Sequence, residues 1–172
     1  MTTSAPTSAP SGPWHRFTAA WARLLTALLA LSVAILVIPV SLQIFSRFTA
    51  LIPHYIWTEE MARFLLVWMV MLGSMLGVRE GTHFIVDVLP GATGRFGAAL
   101  NLFASLAVLV FALVFVWYGI EFTRFGWNRI SELAELPLWT IHVAWPVTGI
   151  TWLVFLGEHV AAQWKALTGS AA

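Results

Sequence analysis

The densest group of polar side chains in this 172-residue chain lies at residues 57–63, at the start of a long apolar stretch. Thr58 is a suitable N-cap, and Glu59 and Glu60 would occupy the first helical turn, where the helix dipole favours anions. Glu59 and Arg63 are four residues apart, so they can form an ion pair on the same helix. The cluster therefore either stabilises the end of a helix or attaches it to a partner protein. Ion or proton coupling would need carboxylates deeper in a membrane.

A second polar cluster follows the same apolar stretch and includes Arg79, Gly81, His83 and Asp87. His83 and Asp87 are four residues apart, but no third ligand of matching type lies nearby, so a hydrogen-bonded turn is the better interpretation than a metal site. The chain has no cysteine, which excludes disulfides, thiolate metal sites and a cysteine nucleophile. No combination of nucleophile, base and orienting group emerges. We therefore predict no enzymatic activity and no cofactor.

The composition indicates an integral membrane protein. Hydrophobic residues make up 59% of the chain and charged residues 10%, whereas soluble chains carry about 25% charged residues. Nine Lys and Arg residues nearly balance eight Asp and Glu residues, so no overall charge attracts the phosphates of a nucleic acid. A soluble enzyme, a disordered chain and a nucleic-acid-binding protein are excluded.

Four apolar stretches are long enough to cross a bilayer, whose hydrocarbon core needs roughly 20 helical residues. These stretches are residues 24–46, 58–79, 96–120 and 137–158. The predicted fold class is an all-α membrane protein with four transmembrane helices. The first stretch exceeds the apolar length of a signal peptide and no convincing cleavage site follows it, so we do not expect its removal.

The membrane domain is expected to span residues 21–162. Residues 1–20 are rich in Thr, Ser, Ala and Pro and are predicted to form a disordered tail, and residues 163–172 a C-terminal tail. The connections between the spans are too short to hold a folded extramembrane domain.

Two connections have an amphipathic pattern. Apolar residues in segment 47–57 recur with helical spacing, which predicts an interfacial arm helix between the first and second spans, with Pro53 as a break. A second surface-lying segment is predicted at 121–136. Five Lys and Arg residues on the side of the termini against four on the other side favour cytoplasmic termini.

The interiors of the spans contain no Asp, Glu, Lys or Arg near their midpoints. Intramembrane charge usually marks a proton relay or substrate path, so its absence argues against an autonomous secondary transporter or a four-helix exporter. A haem cytochrome would need paired axial ligands, and His142 is the single clear candidate. By elimination, we predict that the chain is an accessory or scaffold subunit.

Several other residues in the spans indicate helix contacts. Gly73 and Gly77 form a small-residue face that would let another helix approach closely. Trp68 lies deep in the second span, where it suits packing against a larger protein. Gln43 and Asn101 are expected to hydrogen-bond across helices.

The second span and the turn after it carry the pattern of a known family. The spaced residues are Trp57, Thr58, Glu59, Glu60, Arg63, Phe64, Trp68, Gly73, Arg79, Gly81, His83, Phe84, Val86 and Asp87. They resemble the small membrane subunit, often called Q, of tripartite ATP-independent periplasmic (TRAP) transporters. Arg47-Phe48, residues 136–139 and Pro146 also look like that family, so the resemblance covers roughly residues 20–160.

The resemblance implies four transmembrane helices, an interfacial arm helix and cytoplasmic termini in the bacterial inner membrane. It implies a tight complex with a large multi-span permease that moves substrate by an elevator motion, driven by a sodium gradient. A periplasmic binding protein would deliver an organic acid to that complex. The small subunit would bind neither sodium nor substrate and would anchor the static scaffold among the membrane lipids. We expect the separate-subunit form, with no fused large permease.

The resemblance also implies roles for individual residues. Glu59, Glu60 and Arg63 would lie at the periplasmic end of the second helix and engage the large subunit or the docked binding protein. His83 and Asp87 would fix the cytoplasmic turn, and Arg47 the entry to the arm helix. The full set of expected partner-interface or structural residues is Arg47, Trp57, Glu59, Glu60, Arg63, Trp68, Gly73, Gly77, Arg79, His83 and Asp87.

Two functions of other classes also fit the hydropathy. One is an assembly subunit of an unrelated membrane complex, which would co-purify with different proteins. The other is a small autonomous channel or exporter, which would transport by itself in liposomes.

Overall fold

The computed structural model describes residues 12–49, 53, 55–80 and 95–167; among these, side chains are described up to residue 80 and over 103–157. The helices are α1 (Pro13–Phe48), α2 (Trp57–Glu80), α3 (Arg95–Gly126), α4 (Trp139–His142) and α5 (Ala144–Leu167). Within these ranges the only extended pairing is an isolated bridge between Ile130 and Pro137. The predicted all-α fold class is confirmed.

Among the described residues, four helical stretches are long and apolar enough to cross a membrane, as predicted. They are Pro13–Phe48, Trp57–Glu80, Phe103–Gly126 and Trp139–Gly157. The fourth combines α4 and α5, which are separated by a break at Val143. Pro146 explains the break, because proline has no N–H to donate to the carbonyl of His142 four residues earlier and its ring crowds that carbonyl.

The helices are longer than predicted at several ends. α1 begins at Pro13, a residue whose fixed φ suits the first helical position, so residues 13–20 of the predicted tail are helical. α5 likewise continues to Leu167, into the predicted C-terminal tail. α3 continues to Gly126. Residues 121–126 of the predicted surface-lying segment 121–136 therefore belong to α3, and residues 127–136 form a loop, so the segment is not a separate helix.

The predicted arm helix lies largely outside the described residues. Arg47 and Phe48 continue α1, and Trp57 opens α2. Positions 50–52 and 54 are among those not described. The arm helix stays a prediction.

The spanning helices form a row in the order α1, α2, α5, α3. α1 packs along α2, α2 along α5, and α5 along α3, whereas α3 contacts neither α1 nor α2 within the described ranges. The buried core lies where α1, α2 and α5 meet and includes Leu25, Met75, Val78 and Phe155. α2 and α5 therefore form the centre of the bundle, and α1 and α3 its two edges.

A line of small residues lets α3 approach α5 and α4 closely. Ser105, Ala112, Gly119 and Gly126 recur every seven residues along α3, and all four are buried. A Cβ atom built on Gly149 of α5 would lie 2.7 Å from the Ala112 carbonyl oxygen. Small side chains at such seams allow the backbone contacts that drive helix association in lipid. We call this line the α3 seam; it was not predicted from the sequence.

Several hydroxyl groups within the spans bond to the backbone of their own helix. Thr26 donates to the Ala22 carbonyl at 2.9 Å, Ser74 to Met71 at 2.7 Å and Thr148 to Ala144 at 2.7 Å. A hydroxyl satisfied in this way needs no water and can face lipid or a neighbouring helix without a large cost. These groups therefore do not form a polar path across the bundle.

The α3 seam predicts opposite effects for two Gly→Ala substitutions. Gly149→Ala should destabilise the folded chain by about 1–3 kcal/mol, because the new Cβ forces α3 and α5 apart. Gly73→Ala should be neutral or stabilise by up to about 1 kcal/mol, because no atom lies within 4 Å of the new Cβ and alanine favours the helix. Thermal unfolding of the purified chain in mild detergent measures both. Equal midpoints for the two variants would contradict the close packing at Gly149.

Candidate functional site

The start of α2 holds two carboxylates with different surroundings. Glu59 is exposed, and its Oε1 atom lies 3.4 Å from Nη2 of Arg63, which confirms the expected ion pair. Both side chains are about two-thirds exposed, at 67% and 63%. An exposed pair at this spacing contributes only about 0.3–0.5 kcal/mol to stability. Glu59 and Arg63 therefore remain accessible to another molecule.

Glu60 is buried and binds a distant part of the same chain. Only 9% of the residue is exposed, and its Oε2 atom accepts the backbone N–H groups of Leu133 at 3.0 Å and Ala134 at 2.6 Å. Hydrogen bonds to a charged group contribute about 1.5–3 kcal/mol each, far more than the neighbouring surface ion pair. The position of Glu60 in the first turn of α2 adds the favourable field of the helix dipole. Glu60 therefore has a structural role within this chain.

The segment that Glu60 binds is a short hairpin-like loop at residues 127–138, which we call the α3–α4 loop. The N–H of Leu138 donates to the Arg129 carbonyl at 2.9 Å, and that of Ser131 to the Leu136 carbonyl at 2.8 Å. The hydroxyl of Ser131 in turn accepts the Leu136 N–H at 3.1 Å. Glu135 has a φ of 52°, a left-handed conformation that costs a non-glycine residue about 1–2 kcal/mol. The loop is therefore closed by its own hydrogen bonds and held in a strained shape.

Two tryptophans connect α2 and the fourth span by hydrogen bonds. The indole N–H of Trp68 donates to the Thr140 carbonyl at 3.1 Å, and that of Trp152 to the Ser74 carbonyl at 3.3 Å. In lipid, a buried indole N–H needs such a partner because no water is present. Trp68 was expected to pack against a larger protein, but its polar atom is used inside the chain.

His142 joins α4 to the end of α3 instead of acting as an isolated polar residue in a span. Its ring stacks on Phe122 with centroids 3.7 Å apart, and Nδ1 lies 3.0 Å from the Phe122 carbonyl oxygen. Gly126 makes room for this ring, since a Cβ on Gly126 would overlap it. Among the described residues, no group of three His, Cys, Asp or Glu side chains is arranged to hold a metal ion.

The remaining residues of the predicted set are spread along the molecule. Arg47 is exposed in the last turn of α1, and Trp57 is 43% exposed at the start of α2. Arg79 lies at the other end of α2, with its guanidinium 6.0 Å from the centre of the Phe155 ring.

The two predicted glycines of α2 do not pack like the α3 seam. Gly73 has open space where a side chain would be, whereas Gly77 makes a contact within the chain. His83 and Asp87 lie outside the described residues.

The lateral face of α3 carries an open apolar groove of about 600 Å³. Its lining includes Phe115, Tyr118, Phe122, Phe125 and Trp145. Other large apolar residues of α3 are exposed around it, for example Phe111 at 61% and Trp117 at 69%. Such a face suits lipid chains or the side of another transmembrane helix.

A family model described as "Tripartite ATP-independent periplasmic transporters, DctQ component" matches residues 36–166. The chain is 31% identical over 98 residues to the C4-dicarboxylate TRAP transporter small permease protein DctQ of Rhodobacter capsulatus, covering 54% of this chain and 42% of that protein. It is 28% identical over 95 residues to a putative TRAP transporter small permease protein of Haemophilus influenzae, covering 54% and 58%.

A third relative is the sialic acid TRAP transporter permease protein SiaT of Haemophilus influenzae, 32% identical over 99 residues. The match covers 55% of this chain but only 16% of SiaT, which is therefore several times longer. The chain thus spans about half the length of the small permease relatives that it matches, and much less of SiaT.

The indole hydrogen bonds predict that Trp68→Phe destabilises the folded chain by about 0.5–1.5 kcal/mol, because the aromatic ring is retained but the N–H donor to Thr140 is lost. The matched control is Trp117→Phe, which changes a side chain that is 69% exposed and should leave stability unchanged. Chemical unfolding in mixed micelles, followed by tryptophan fluorescence, measures both. A control as unstable as Trp68→Phe would show that the indole bond is not the cause.

Proposed function

Because the chain belongs to the DctQ component family of tripartite ATP-independent periplasmic transporters, we propose that it is the small permease subunit of such a transporter. The family match over residues 36–166 carries this proposal, since it includes the last third of α1, all of α2, α3 and α4, and nearly all of α5. The subunit stabilises the static scaffold on which a large elevator-type permease moves its substrate.

A passive role is supported by the interior of the bundle. The sequence places no Asp, Glu, Lys or Arg near the middle of any span, and the hydroxyls described above bond to their own helices. The ionisable groups at the start of α2 either pair on the surface or bind the α3–α4 loop. Such an interior supports rigid helix packing instead of ion or substrate passage.

A large permease as partner is supported by SiaT. In that protein a stretch similar to this chain is a small part of a much longer permease, which suits two units that work together. The apolar groove and the exposed edges of α1 and α3 offer lateral surface to a second membrane protein and to lipid. Glu59 and Arg63 offer charged groups to the same partner at the end of α2.

The coupling ion, the substrate class and the orientation belong to the same proposal. Uptake is driven by a sodium gradient and depends on a periplasmic binding protein. Two relatives are named for C4-dicarboxylate and sialic acid, both carboxylates, which supports an organic acid as substrate. Four crossings leave both termini on one side, and we assign that side to the cytoplasm of a bacterial inner membrane. The α3–α4 loop is then periplasmic.

A pull-down from native membranes in mild detergent tests the proposal. We expect a multi-span permease in equal amount, and expect the isolated complex in proteoliposomes to take up an organic acid only with a sodium gradient and the binding protein. Recovery of the folded chain alone, or transport by the purified chain alone, would contradict a scaffold subunit.

The exposed ion pair predicts that Glu59→Ala or Arg63→Ala impairs assembly or uptake without unfolding the chain. Truncating one member of a charge pair that is buried at an interface costs about 2–5 kcal/mol, so either substitution should lower retention of the large permease at least about tenfold. Retention is measured by quantitative co-purification.

Glu80→Ala, at the other exposed end of α2, is the matched control and should retain the permease. Normal complex yield together with normal transport in both the Glu59 and Arg63 variants would refute a partner role for this pair.

A further inference from the structure

The α3–α4 loop lies across the end of the bundle instead of along its side. It leaves α3 at one edge of the row, yet Leu133 and Ala134 bind Glu60 on α2, a helix that α3 does not contact within the described ranges. The loop therefore crosses over the end of the fourth span, which lies between α3 and α2 in the row. Its tip is exposed at the end of the bundle where α2 begins.

The outer surface of the loop is mixed in character, unlike the apolar sides of the bundle. Glu132 and Glu135 are exposed on either side of Leu133, which is 45% exposed. Carboxylates at this position favour water over hydrocarbon, so the tip does not suit the lateral contact that a membrane helix makes. An apolar side chain flanked by charges instead suits a soluble protein surface with an apolar patch and basic residues at its rim.

Hydrogen bonds at both the tip and the base of the α3–α4 loop hold this surface in one shape. Glu60 binds the tip of the loop from α2, and Ser131 closes its base through the hydrogen bond to Leu136. A loop that is already ordered loses little conformational freedom when a partner binds, so its contacts contribute more to affinity.

We propose that Glu60 is a positioning residue that holds the α3–α4 loop in the shape met by the soluble binding protein. This inference rests on the proposed function, because it needs a transporter that works with such a protein. Glu60 acts through the loop and makes no contact with the partner itself. Both accepted hydrogen bonds end on one oxygen, so a glutamine can keep them with its carbonyl oxygen.

The test measures uptake by the complete membrane complex in proteoliposomes while the concentration of its substrate-loaded binding protein is varied. Glu60→Ala should raise the apparent KM for the binding protein about tenfold and leave the maximal rate within twofold. Glu60→Gln should recover most of the apparent affinity, because it retains the acceptor. Ser131→Ala should raise KM as well, since it loosens the same loop from its base.

Two controls separate positioning from general stability. Glu80→Ala removes a carboxylate at the opposite end of α2, and Ser32→Ala removes an exposed hydroxyl that bonds to its own helix, so both should keep the wild-type KM. Thermal unfolding and complex yield are measured for every variant, and Ser131→Ala serves as the loop variant where Glu60→Ala lowers the yield.

The outcomes are distinct. A raised KM at an unchanged maximal rate in the loop variants supports the inference. An unchanged KM, with only stability or yield reduced, would overturn it while leaving the scaffold function intact. If the wild-type complex takes up substrate without any binding protein, the proposed function fails, and the inference fails with it.

Discussion

A bilayer interior offers no hydrogen-bond partner to the peptide backbone, and the architecture of this chain follows from that constraint. The spanning residues are mostly helical, and several of their hydroxyl and indole N–H groups donate to backbone carbonyls of the chain itself, as those of Thr148 and Trp68 do. Where the chain leaves the helices, at the α3–α4 loop, the amides of Leu133 and Ala134 have no helical carbonyl as acceptor. Glu60 supplies an acceptor, so a carboxylate at the start of α2 helps to determine where a loop 73–74 residues later lies.

The two acidic neighbours at the start of α2 show how one residue of sequence separation changes a role. Successive positions on a helix differ by about 100° in direction, so Glu59 points outwards while Glu60 points under the loop. Glu59 pairs with Arg63 in water and contributes little to stability, which leaves it accessible to a partner. Glu60 is buried and its Oε2 atom accepts two hydrogen bonds from the α3–α4 loop. Two neighbouring glutamates therefore have different roles: one holds a loop of the same chain, and the other is exposed to a partner.

The sequence predicted the features that depend on local pattern: four apolar spans, the all-α class, the Glu59–Arg63 pair and the family. It did not predict the partners of Glu60 or Trp68, because these are backbone amides and carbonyls, which every residue has. The α3 seam did have a signal, since Ser105, Ala112, Gly119 and Gly126 recur every seven residues. The spacing of Gly73 and Gly77 instead predicted a close helix contact, although Gly73 has open space around it. Spacing alone does not tell an internal seam from an outer face.

The order of the helices in the row also bears on how the protein is made. The chain emerges from the ribosome from its N-terminus, so α1 and α2, which pack together, can pair as soon as both are in the membrane. Within the described ranges α3 has no such earlier neighbour, because its packing surface is provided by α4 and α5, which are synthesised last. Until α4 and α5 are inserted, α3 therefore lies in the bilayer as a single helix with the α3 seam uncovered. During that interval the half-made protein depends on lipid, or on the insertion machinery, to shield α3 until its C-terminal neighbours arrive.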